Sequence, residues 1–110
     1  LEALENQRYV GGTNILETKA FRDLVRAYAK AKGKGLTECS VLKLNVLPEE
    51  QEEAARSLQG KLRSTDYLGR LEDGFLFVLL PNTGTASAEV VMEKFKELGY
   101  GSHVQEEVLG

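Results

Sequence analysis

"LRSTDYLGRLEDGFLFVLLPNT", residues 62–83, is the stretch on which the fold turns. Residues 67–71 and 75–80 flank Asp73-Gly74, one of the stronger short signals for a β-hairpin, because the turn needs a residue that tolerates positive φ. Gly74 is expected to supply it. The second arm, FLFVLL, is apolar on both faces, which is expected of a strand that lies inside its sheet. The hairpin therefore predicts a sheet with 75–80 as an inner strand.

Working outward, Phe21, Leu24, Val25, Tyr28 and Ala29 recur at helical spacing, with Asn14 and Glu17 as a capping-box pair. A helix over about 15–32, ended by Gly33 and Gly35, is expected. Residues 41–47 are short, rich in branched side chains and closed by Pro48, which predicts a strand with Leu42, Leu44 and Val46 on one face. Pro48 opens a second helix, whose first turns carry Glu49, Glu50, Glu52 and Glu53 at the positive end of the dipole and whose stripe is Ala54, Ala55, Leu58 and Leu62. After Pro81 and Gly84 a third helix presents Ala88, Val91, Met92, Phe95 and Leu98, and residues 102–108 form a last strand. The expected fold class is α+β, a β-α-β-β-α-β core with a mixed, mainly antiparallel sheet flanked by helices, packed on one side. Residues 1–12 read as the end of an upstream linker helix and 13–110 as one domain. A chain beginning at Leu1 is expected to be a piece of a longer protein.

The 110 residues suffice for one core. With 14 basic and 17 acidic residues the formal charge is -3, which disfavours general nucleic-acid binding, since that runs on a basic surface. Cys39 and His103 are the only residues of their kinds, so no internal disulfide and no zinc set can be assembled. Cys39 is read as a small buried hydrophobe, and His103 has no nucleophile arranged beside it. No apolar run approaches the roughly 20 residues that span a bilayer, and no signal peptide opens the chain. A reducing cytoplasm is the expected location, with no direct membrane contact by the domain and any anchor in the parent protein.

With these elements placed, the chain resembles the GGDEF domain of bacterial diguanylate cyclases over nearly its whole length. That family's pattern is Arg-x-x-Asp, five residues, Gly-Gly-Asp-Glu-Phe, an apolar strand and Leu-Pro-x-Thr. Arg63 and Asp66, residues 67–71, "EDGFL" at 72–76 and "FVLLPNT" at 77–83 match it without a gap. "VGGTNILETKAF" is similar to a worn copy of the family's first motif, retaining Thr13 and Phe21, and "VLKLNVL" stands where the family has a strand ending in Asp-Ile-Asp. Between Pro48 and Arg63 the chain is shorter than its counterpart, and two family motifs are missing.

The resemblance implies that two GTP-loaded domains would share a metal-dependent site, and the residue types here do not suit it. Glu72 and Asp73 stand at the glycine positions and Phe75 at the catalytic acid, while Lys43 and Asn45 replace the metal-binding aspartates. Magnesium takes carboxylate oxygens and is repelled by an ammonium. No enzyme activity, metal or other cofactor is therefore expected. Glu72 and Asp73 are read as turn chemistry. The Arg-x-x-Asp element is, in the family, a separate inhibitory site for cyclic di-GMP. Its chemistry fits: a guanidinium fork matches guanine O6 and N7, and a carboxylate accepts from N1 and N2. Arg63 and Asp66, with Lys94 from the next helix, are the implied ligand-binding residues. Two readings stand side by side. One is an inactive GGDEF-type receptor for cyclic di-GMP that regulates an attached or partner protein. The other is a non-binding structural, dimerisation or interaction module. In the second, Arg63 and Asp66 are a surface ion pair worth about 0.3–0.5 kcal/mol and Lys94 is one of several solvated charges. A homodimer or an attached sensor or effector domain is the expected protein partner.

Overall fold

The computed structural model describes residues 15–63, 65–71 and 74–105. Its elements are β1 (Ile15–Leu16), α1 (Thr18–Gly33), β2 (Cys39–Leu44), a 3-10 turn (Pro48–Glu50) leading into α2 (Gln51–Gln59), β3 (Tyr67–Arg70), β4 (Leu76–Pro81), α3 (Thr85–Glu97) and β5 (Ser102–Val104). The five strands form one sheet in the order β1-β3-β4-β2-β5. Only β1 and β3 run parallel; every other pair is antiparallel. The expected mixed, mainly antiparallel α+β sheet is present, with β4 at its centre.

All six residues of β4 are buried, and alternation along it feeds two separate cores. Leu76, Val78 and Leu80 join Leu42, Leu44 and Val46 against Ala54, Ala55 and Leu58 of α2 and Ala88 and Phe95 of α3. Phe77 and Leu79 join Cys39 and Val41 against Phe21 and Val25 of α1. The expectation of helices on one side is thus corrected: α1 covers one face and α2 with α3 the other. The physical reason lies in FLFVLL itself, since a strand apolar on both faces needs a helix on each. Gly69 in β3 lets α1 approach, because a Cβ there would lie 2.1 Å from the Phe21 ring.

Two boundaries also differ from expectation. Ile15 and Leu16 are strand, not helix: they pair with Leu68 and Gly69 and bury their side chains in opposite cores, which a helical start would not allow. Glu17 is consequently the N-cap, and its side chain makes no capping bond; Asn14, its expected partner, lies outside the described residues, as do residues 1–12. The second strand begins at Cys39 and ends at Leu44, ahead of the expected 41–47. The last strand is described as Ser102–Val104, extended by a bond from Gln105 N–H to the Val41 carbonyl at 2.8 Å; residues 106–110 are not described. The hairpin is as expected: Gly74 has φ 80° and its N–H bonds the Leu71 carbonyl at 2.8 Å. Glu72 and Asp73 lie outside the described residues.

Candidate functional site

Arg63 and Asp66 meet at the Pro81 end of β4, but not through helical spacing. Helix α2 has ended at Gln59, and Asp66 N–H bonds the Arg63 carbonyl at 3.0 Å. Asp66 Oδ2 accepts the Arg63 backbone N–H at 2.8 Å. The carboxylate also takes the guanidinium side-on, Nη2 to Oδ1 at 2.8 Å and Nε to Oδ1 at 3.1 Å. Nη2 reaches further, to the Pro81 carbonyl at 3.1 Å and Thr83 Oγ1 at 2.8 Å. The Asp66 side chain is only 3% exposed, against 53% for Arg63. The pair is a half-buried clasp that ties Arg63 and Asp66 to the corner after β4. Hydrogen bonding to Asp66 pushes the guanidinium further above its usual range, against a smaller opposing effect of desolvation.

The corner is itself anchored. Thr83 is 3% exposed; its hydroxyl donates to the Pro81 carbonyl at 3.0 Å and its carbonyl accepts from Ser40 Oγ at 2.8 Å. Asn82 adopts φ 54°, which asparagine tolerates better than most residues, and its Oδ1 accepts from Thr37 Oγ1 at 2.9 Å. Sequence reasoning noted Leu-Pro-x-Thr as a pattern but gave Thr83 no task. A threonine two residues past a strand-ending proline was the available signal. Lys94 is exposed on α3, about 14 Å along the axis from Thr85 at 1.5 Å per residue. No hydrogen bond or ion pair among the described residues joins it to Arg63 or Asp66.

At the opposite end of β4, Lys43 and Phe75 are brought into contact. Lys43 Nζ lies 4.3 Å from the centroid of the Phe75 ring and 5.8 Å from that of Phe77, its cross-strand partner. On its other side Lys43 pairs in register with His103. An ammonium over aromatic faces is a cation–π arrangement. Among the described residues no group of three or more His, Cys, Asp or Glu side chains converges to hold a metal. Nearby, Gln51 was missed by sequence reasoning. It is 1% exposed, donates to the Gly74 carbonyl at 2.7 Å and accepts from Arg70 Nε at 3.0 Å. Lodged between acidic neighbours in α2, it had no signal beyond being uncharged.

Cys39 is buried and burial pushes its thiol pKa up, in keeping with the small-hydrophobe reading. No helix among the described residues is long and apolar enough to cross a membrane.

No protein-family model matches the chain, and no curated protein does. Among solved structures, the chain is similar to the diguanylate cyclase SiaD of Pseudomonas aeruginosa, solved in complex with its activator SiaC. The TM-score is 0.73 at 17% identity, over 94% of this chain and 50% of that one. The chain thus spans about half the length of SiaD and shares with it a GGDEF-like fold.

Proposed function

We propose that this is a catalytically silent GGDEF-like domain that binds cyclic di-GMP at Arg63 and Asp66 and so regulates an attached or partner protein. The observation that carries the proposal is the contrast in chemistry at the two ends of β4. Lys43 stacked on Phe75 does not suit a metal-dependent phosphoryl transfer, whereas the half-exposed Arg63 guanidinium, held by a carboxylate that is itself only 3% exposed, carries the donors that guanine acceptors require. Calorimetric titration of cyclic di-GMP tests it. A bidentate arginine contact is worth about 1–3 kcal/mol, so Arg63→Ala should weaken binding roughly 5- to 150-fold. Arg63→Lys should not rescue, since an ammonium cannot reproduce the two-pronged geometry. Lys94→Ala should have a smaller, salt-sensitive effect.

A second reading, a docking module without a nucleotide, draws on a different observation. Leu36, Leu47, Phe75, Val90 and Leu98 are large apolar side chains left exposed, and the similar cyclase SiaD was solved with a protein activator. Absence of any heat or spectral change at high micromolar cyclic di-GMP would transfer the proposal to this module.

A further inference from the structure

The arginine that should receive a ligand is already fully engaged on one side, and donor geometry decides what must give way. A guanidinium has five N–H groups. Nε–H and one Nη2–H are spent on Asp66, and the other Nη2–H lies between the Pro81 carbonyl and Thr83 Oγ1. Only Nη1 takes no part in these bonds. A flat two-acceptor edge can be gripped in two ways, side-on by Nε and Nη2 or end-on by Nη1 and Nη2. Both use Nη2. No bidentate contact is possible until Nη2 leaves either Asp66 or the corner. Asp66 also holds the Arg63 backbone N–H and stays nearest the guanidinium, so the bonds to the corner are the ones that yield.

We propose that Arg63 is a latch: its bonds to Pro81 and Thr83 compete with ligand, so that the empty site is closed on itself and filling it releases the 81–83 corner. The inference rests on the receptor reading and adds a regulation to it. The corner is a junction. Pro81 ends β4 opposite Cys39, Thr83 holds Ser40 on β2, Asn82 holds Thr37 in the loop before β2, and Thr85 begins α3. Release there reaches the first turn of α3 and the 36–38 loop, where Leu36 is 74% exposed. Ligand occupancy is thereby converted into a change at a surface a partner can touch.

The intact chain, titrated with cyclic di-GMP as wild type, Thr83→Val, Thr83→Ser and Arg63→Ala, tests the latch together with amide hydrogen exchange of the wild type. Removing one competing hydrogen bond should make Thr83→Val bind about 3- to 10-fold more tightly, with Thr83→Ser near wild type. Exchange at amides 82–86 should speed up when the wild type is saturated and stay unchanged in Arg63→Ala. Wild-type binding with Thr83→Val equal or weaker, or with exchange at 82–86 unchanged or slowed, removes the latch and leaves the receptor standing. Absence of binding by both wild type and Thr83→Val removes the two together.

Discussion

The two ends of β4 have been built in opposite ways. At the Phe75 end an ammonium rests against two aromatic rings, a contact that is close and non-specific in direction. At the Pro81 end the contacts are directional hydrogen bonds turned inward, onto one another and onto the corner. Residue type alone says which groups stand at each end. It cannot rule binding in, because the same donors and acceptors serve equally to hold the fold.

The comparison is broken most directly at the Phe75 end. Incubation with GTP and magnesium or manganese should yield no cyclic di-GMP by chromatography, an all-or-none outcome. Product that disappears on Lys43→Ala or Phe75→Ala would mean that this end still works.

Next in size is Asp66→Ala. It leaves the Arg63 backbone N–H and guanidinium without their acceptor, and hydrogen bonds to charged groups are worth about 1.5–3 kcal/mol. A loss of about 2 kcal/mol, read by urea unfolding, corresponds to a fall in melting temperature of about 8–16 °C. A change below about 0.5 kcal/mol would return the pair to the ordinary surface class.

The smallest effect belongs to Phe75→Leu. The Phe75 side chain is 38% exposed, and an exposed cation–π contact contributes about 0.5–1 kcal/mol. The same unfolding measurement should therefore show less than half the loss of Asp66→Ala. Equal losses at the two ends would erase the distinction between a packed end and a clasped one.

Much of the architecture was legible because it depends on local patterns. The hairpin needed only Asp73-Gly74 between two strand-forming runs, and the inner position of β4 needed only that FLFVLL be apolar on both faces. The expectation that the helices pack on one side failed, because the periodicities of the three helices do not say which face each will cover. β1 escaped notice because two residues are too few to show a period, and Ile15 and Leu16 become a strand only once β3 lies beside them. Gln51 was silent for a similar reason, since its partners at Gly74 and Arg70 are remote in sequence.

The chain by itself determined the element types and the central strand, because each follows from the side chains and their spacing. Only the tertiary structure decided where those side chains spend their bonds. Arg63 and Asp66 are three residues apart in any conformation, but their clasp onto Pro81 and Thr83 joins positions 18 and 20 residues apart. That closure exists because the antiparallel pairing of β3 and β4 brings the end of one strand back to the start of the other. Hydrogen-bond donors are few and directional, so a partner supplied by the fold changes what an arginine is free to do.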